Sequence, residues 1–189
     1  MRLVLASTSP QRRAILEQLR IPYEVVVPDY EEHDPPDADP VALVREHARG
    51  KARSVHEPGR VTLGVDTTVH LDGRVYGKAA DEDEAAAMLC ELAGRTHAVL
   101  SGLCLVGDTG DVVEHAETLV RFREVGADEA ARYVSSGEWH GRAGAYAIQG
   151  LGGRLVDRIE GDYLNVVGLP GALLVRLLAT HAPELLALA

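Results

Sequence analysis

Short apolar runs alternate along the chain with clusters of Gly, Pro, Asp and Ser. Arg2 to Ala6 is such a run and predicts a buried strand. Ser7-Thr8-Ser9-Pro10 turns the chain, and Gln11 to Leu19 resumes with Ile15, Leu16 and Leu19 at helical spacing. Ser9 is placed to cap that helix, with Pro10 at its first position, where a missing N–H is harmless. Tyr23 to Val27 predicts a second strand, and Asp29 to Pro40, acidic and proline-bearing, a solvated loop. Val41 to Val55 predicts a helix with Val44, Ala48 and Ala52 on one face and Lys51 at its edge. Val61 to Leu71 reads as a strand, Leu71-Asp72-Gly73-Arg74 as a hairpin turn, and Val75 and Tyr76 as the return. Asp81 is set to cap a helix through Leu92, with Ala85, Met88, Leu89 and Leu92 inward and Gly94 just past its end. His97 to Val106 and Val112 to Arg123 predict a longer hairpin. Asp128 to Val134 predicts a short helix, and Ser135 to Gly153 an irregular stretch. Arg154 to Ile159 reads as a strand, Gly161-Asp162 as a turn and Leu169 to Leu178 as a closing helix. Strands and helices mixed with antiparallel pairs predict an α/β fold on a mixed sheet, not a doubly wound parallel one.

Composition narrows the class. With 189 residues, 46% of them apolar, the chain fits one domain or two small lobes sharing a core. Its formal net charge of −10 excludes a global basic field for polymeric nucleic acid. A polyphosphate ligand would need a local basic pocket or a metal. Cys90 and Cys104 fall in a predicted helix and strand and read as small core residues of a reducing cytosol. No long apolar N-terminal segment suggests a signal peptide. The apolar stretch from Leu169 is interrupted by Arg176, His181 and Pro183, as a core helix is and a membrane span is not. A cytoplasmic protein is expected.

Several residues can carry chemistry. Ser7 to Ser9 gather hydroxyls and free N–H groups at the positive end of a helix dipole, with Arg12 and Arg13 one turn in. That is either an anion site or the ordinary opening of an α/β domain. The acidic loop holds Asp29, Glu31, Glu32, Asp34, Asp37 and Asp39, and a carboxylate near its start can turn inward to a metal. Asp66 lies in an otherwise apolar strand, where an unpaired charge is costly. It must sit at the strand's end, hold a metal or take a proton. Lys78, one hairpin later, returns near Asp66 or is simply exposed. Gly144 to Gly153 is glycine-rich, and Gln149 within it offers an acceptor and two donors to a base edge. Trp139 and His140 read as loop contacts. No HExxH, CxxC, GxSxG, GxxxxGK[ST] or strand-linked GxGxxG is present.

Together these stretches resemble the Maf family of nucleoside triphosphate pyrophosphatases, nearly end to end from Leu3 to Leu178. The resemblance rests on Leu5-Ala-Ser-Thr-Ser-Pro10 with Arg12, Glu31-Glu32, Gly50-Lys51-Ala52, Gly64-Val-Asp66-Thr67 and Gly77-Lys78. It continues through Gly94-Arg-Thr-His97, Ala143-Gly-Ala-Tyr-Ala-Ile-Gln149-Gly150 and Gly161-Asp-Tyr-Leu-Asn165-Val-Val-Gly-Leu-Pro170. It implies a single domain over residues 1–189 with two lobes, a mixed sheet and an active-site cleft, like the inosine-triphosphatase architecture. It implies a homodimer. It also implies cleavage of a nucleoside triphosphate to monophosphate and pyrophosphate with a divalent cation, Mg²⁺ or Mn²⁺. Asp66 then matches the proton acceptor, and Ser7, Arg12, Lys51 and Lys78 match the triphosphate ligands. Glu32, with Asp66, falls on the metal side. Thr67 and Gln149 match the branch preferring dTTP and UTP. Gln11 matches neither the Arg of that branch nor the Trp of the branch preferring 7-methyl-GTP. Arg142 stands where many relatives have Lys. The family is also associated with arrest of septum formation, so a nucleotide sensor with little turnover is the alternative of another class.

Overall fold

A computed structural model describes residues 2–35 and 38–187 of the chain; Asp37 of the acidic loop lies outside them. Secondary structure runs β1 (Leu3–Ala6), α1 (Pro10–Gln18), β2 (Tyr23–Val26), α2 (Pro40–Arg53), β3 (Thr62–Leu71), β4 (Arg74–Tyr76) and α3 (Glu82–Leu92). It continues with β5 (Thr96–Gly107), β6 (Gly110–Phe122), α4 (Ala127–Val134), β7 (Val156–Glu160), α5 (Tyr163–Val167) and α6 (Gly171–His181). The strands form one mixed seven-stranded sheet in the order β2-β1-β3-β5-β6-β7, with β4 paired to β3. β1 is parallel to both β2 and β3, while β4 and β7 are antiparallel to β3 and β6. The mixed α/β expectation therefore holds. The chain divides into two compact units: Met1–Thr67 with Ser101–Ala116 and Gly168–Ala189, and Thr68–Leu100 with Glu117–Val167.

In the first unit two helices open the same way. Ser9 caps α1 by accepting from the Arg12 N–H, Asp39 caps α2 by accepting from the Ala42 N–H, and a proline follows each cap. Val44, Ala48 and Ala52 of α2 are fully buried, as their spacing predicts. The helix lies directly on the sheet because two strand residues have no side chain. A Cβ at Gly64 of β3 would stand 2.0 Å from the Ala48 carbonyl oxygen, and one at Gly102 of β5 would stand 2.0 Å from that of Val44. The chain leaves β1 for β2 on one side and returns to β3 on the other. Right-handed crossovers then put α1 and α2 on opposite faces, with a switch point between the ends of β1 and β3.

The second unit is built on an aromatic and aliphatic core. Asp72 and Gly73 take positive φ (50° and 83°), the pair of values that a two-residue primed turn needs between β3 and β4. Asp81 caps α3 at 2.8 Å from the Glu84 N–H. Gly94 follows the helix at φ +67° and donates its N–H to the Arg123 carbonyl. His97, 1% exposed, bonds the Tyr146 hydroxyl through Nε2 at 2.9 Å and meets the edges of Phe122 and Tyr146. Its Nδ1 has no partner among the described residues, and burial pulls the imidazole down to about 4.

Three expectations are corrected. Cys90 is exposed, because the inward face of α3 is the Ala85, Met88, Leu89 and Leu92 stripe and Cys90 falls off it. Cys104 is buried as expected. Arg154 and Leu155 belong to a 3₁₀ turn over Gly150–Leu155, and β7 starts only at Val156. Glycines set that turn: a Cβ at Gly152 would stand 2.0 Å from the Ala147 carbonyl oxygen. Trp139 is a core residue, 3% exposed, with His140 stacked on it at 3.8 Å. The short helix α5 was not foreseen; Asp162 opens it by accepting from the Leu164 N–H at 2.8 Å. Among the described residues no helix is long and apolar enough to cross a membrane.

Candidate active site

The site in the first unit begins with strand parity. Residues two apart on β3 share a face, so Asp66 points to the same face as Gly64, the face on which α2 rests. Lys51 lies one helical turn beyond Ala48, the residue seated on Gly64. Its ammonium meets Asp66 Oδ1 at 2.6 Å and Glu32 Oε1, from the loop after β2, at 2.5 Å. Asp66 lies in the middle of β3, not at its end, and its charge is answered by lysine. The Asp66 and Lys51 side chains keep only 14% and 11% exposure, while Glu32 keeps 42%. At that depth, losing either partner strands the other's charge away from water.

Thr67 has the opposite parity and points to the α1 side. There Arg12 forms a three-way fork. It donates from Nε to the Gly168 carbonyl at 3.0 Å, from Nη1 to the Ser7 hydroxyl at 3.0 Å, and from Nη2 to the Thr67 hydroxyl at 3.4 Å. Thr67 also shares a 2.9 Å bond with the buried Ser101 hydroxyl. Ser7, 5% exposed, accepts from the Ser9 N–H at 3.2 Å as well. Gln11 receives the Ser9 hydroxyl on its Oε1 at 3.2 Å. Burial draws Arg12 below its ordinary pKa, and the nearby carboxylates of Asp66 and Glu32 oppose this. Arg13 is exposed on α1.

Ser7, Gln11, Arg12, Glu32, Lys51, Asp66 and Thr67 are thus all carried by one unit, with the two carboxylates gathered at Lys51 and the hydroxyls at Arg12. Lys78 and Gln149 belong to the other. Lys78 is exposed and bridges Ala143 through its backbone. Gln149 is exposed at the mouth of the 3₁₀ turn. The backbone around it is tied down: Ala147 donates to the Tyr133 hydroxyl at 3.0 Å, and Leu151 and Gly152 donate to Glu138. Ser101 and Gly168 were not singled out from sequence. Ser101 sits in an apolar strand with nothing local to mark it, whereas Gly168 lies inside one of the blocks that carried the family resemblance.

This arrangement can bind an anion and present a carboxylate beside it. Backbone N–H groups, hydroxyls and a guanidinium lie at the switch point, and a lysine and two carboxylates lie next to them. Among the described residues no group of three or more His, Cys, Asp or Glu forms a metal-binding cluster.

The family described as Maf-like protein matches residues 2–181. A protein of Symbiobacterium thermophilum named dTTP/UTP pyrophosphatase is 48% identical over 170 residues, 89% of this chain and 88% of its own. One of the same name from Deinococcus radiodurans is 43% identical over 179 residues, 94% of this chain and 91% of its own. Another, from Pyrococcus furiosus, is 40% identical over 183 residues, 94% of both chains. On a match of this extent, the chain belongs to the Maf family.

Proposed function

We propose that this protein hydrolyses dTTP and UTP to the monophosphate and pyrophosphate, assisted by a divalent cation. The observation that carries the proposal is the Asp66–Lys51–Glu32 cluster beside the Arg12 fork, in a chain so similar to proteins named dTTP/UTP pyrophosphatase. A triphosphate brings about four negative charges, which repel a nucleophilic water. Arg12, Lys51 and the Ser7 hydroxyl supply donors for its oxygens, and Lys78 is the further phosphate ligand that the family resemblance names. Asp66 is the general base. Lys51 holds Oδ1, and no described residue bonds Oδ2, which is left to accept the proton of water. When substrate enters, the phosphates compete with the carboxylates for the Lys51 ammonium, so the lysine moves from balancing the site to binding the ligand.

Glu32 and Asp66 suit a hard divalent cation. Two carboxylates meeting one ammonium within 2.6 Å match the usual Mg²⁺ complement of one or two carboxylates plus substrate phosphates and water. Such a cation would offset phosphate charge and ease departure of pyrophosphate. Thr67 and Gln149 are, by the family resemblance, the base-choosing residues of this proposal, and Gln11 carries the side chain of neither branch. A homodimeric, cytoplasmic state belongs to the same proposal, and sedimentation reads its oligomeric part.

The test is pyrophosphate release from dTTP, UTP, CTP, GTP and 7-methyl-GTP, with Mg²⁺ and with Mn²⁺, using wild type and Asp66→Asn. Wild type should prefer dTTP and UTP. Folded Asp66→Asn should lose at least about 10²-fold in kcat. Near-normal turnover by that variant removes Asp66 from its role. Preference for 7-methyl-GTP gives Gln11 the upper hand, and silence across the panel makes the sensor the better description.

A further inference from the structure

We infer that His47 is a positioning residue that holds Glu32 at the site by tying the chain on either side of it, at Tyr30 and Asp34, to α2. The side chain is 3% exposed, in the middle of α2, yet both ring nitrogens are engaged by the acidic loop. Nε2 lies 2.7 Å from Asp34 Oδ1, and Nδ1 lies 3.0 Å from the Tyr30 hydroxyl. Tyr30 and Asp34 stand two residues before and two after Glu32. The neutral tautomer with its proton on Nε2 satisfies both: it donates to the carboxylate and accepts from the phenol. His47 is four residues before Lys51, so the two share a helix face. The clamp and the ammonium that Glu32 meets are therefore set by the same turn of helix.

A second contact fixes the near end of the loop. The Tyr30 ring occupies the place of a side chain at Gly50: a Cβ there would fall 2.1 Å from the ring. Gly50 in the Gly50-Lys51 pair is thus a seat for Tyr30, as Lys51 is a partner for Glu32. Stability alone does not explain the far end. The Asp34 side chain is 65% exposed, and a hydrogen bond to so exposed a carboxylate contributes little to folding. What the pair does is hold a stretch without secondary structure in one conformation, with its midpoint on Lys51. Outer groups that orient a metal-side carboxylate affect metal affinity by roughly 10–100-fold.

The inference rests on Glu32 standing on the metal side, so the experiment tests that separately. Mn²⁺ binding would be followed by electron paramagnetic resonance with a non-hydrolysable α,β-imido analogue of dUTP present. The variants are Glu32→Gln, His47→Phe, and each with the other; Tyr30→Phe and Asp34→Ala repeat the test should His47→Phe fail to fold. His47→Phe should weaken Mn²⁺ binding on the order of ten-fold in the wild-type background. In the Glu32→Gln background the same change should cost less than about two-fold, since the carboxylate it positions is gone. Amide exchange of residues 31–33 should also quicken in His47→Phe without metal or nucleotide. A merely structural role would weaken binding equally in both backgrounds, and that result overturns the inference. So does an unchanged Mn²⁺ affinity in His47→Phe while Glu32→Gln lowers it, and there the metal-side role of Glu32 survives. Unchanged affinity in Glu32→Gln itself removes that role and the inference with it.

Discussion

Protonation of His97 is the sharpest handle on the second unit. The ring is buried among Phe122 and Tyr146, and its Nδ1 has no acceptor among the described residues, so a second proton has nowhere to bond. Burial lowers its pKa from 6.5 to about 4. Above 6.5 both folded and unfolded chains carry a neutral ring. Between 6.5 and about 4 the unfolded chain takes a proton that the folded chain refuses, so stability falls as pH falls through that window. The full gap amounts to about 3 kcal/mol, and the part realised between pH 7.5 and pH 5 is about 2 kcal/mol. Urea unfolding of wild type and His97→Phe at half-unit steps over that range isolates the effect. The variant carries a pH-independent penalty of about 1–3 kcal/mol for the unpaired Tyr146 hydroxyl. Wild type should lose its advantage over the variant by about 2 kcal/mol on going to pH 5. A difference that stays flat with pH would refute the reasoning, as would an NMR titration placing the His97 ring near its ordinary pKa.

Other outcomes follow from close packing and exposure. Gly64→Ala pushes a methyl into the Ala48 carbonyl and should destabilise by about 3 kcal/mol, with Tm down by roughly 6–12 °C. Gly107→Ala, with nothing within 4 Å, should stay within about 0.5 kcal/mol, and equal melting of the two variants would contradict the helix-on-glycine packing. Cys90 is exposed, while burial first and then Asp111 push the Cys104 thiol up to about 12. A thiol reagent should titrate one cysteine in the native protein and both in denaturant; prompt reaction of both would place Cys104 wrongly.

Local chemistry was legible and distant pairing was not. The caps at Ser9 and Asp81, the Asp72-Gly73 turn and the Val44-Ala48-Ala52 face are written in neighbouring residues, and each is realised. Asp66 was recognised as a costly charge, yet its partner is on another element, and no periodicity links Lys51 to it. The answer lay in Gly64, which brings α2 close enough for the lysine to reach. His47 reads as one more polar residue of a helix until the loop closes over it. Cys90 reads as a core residue from its type and its place in a helix, whereas burial follows the Ala85, Met88, Leu89 and Leu92 stripe, which leaves it out. The family resemblance supplied Glu32, Lys51 and Arg12 as a set, and strand parity now explains why Arg12 answers to Thr67 while Lys51 answers to Asp66.

The Arg12 fork has a consequence for how the protein is made. Its acceptor at Gly168 lies 156 residues further along the chain. A ribosome adding about 5–20 residues per second needs on the order of ten to thirty seconds between the two. Over that interval the second unit, whose segments end at Val167, can be completed, but the first cannot, because its last segment begins at Gly168. The hydrogen bond from Arg12 to Gly168 therefore becomes available to the nascent chain only after every segment of the second unit has been made. The opening strand and helix wait, with a guanidinium half made, until Gly168 has been added.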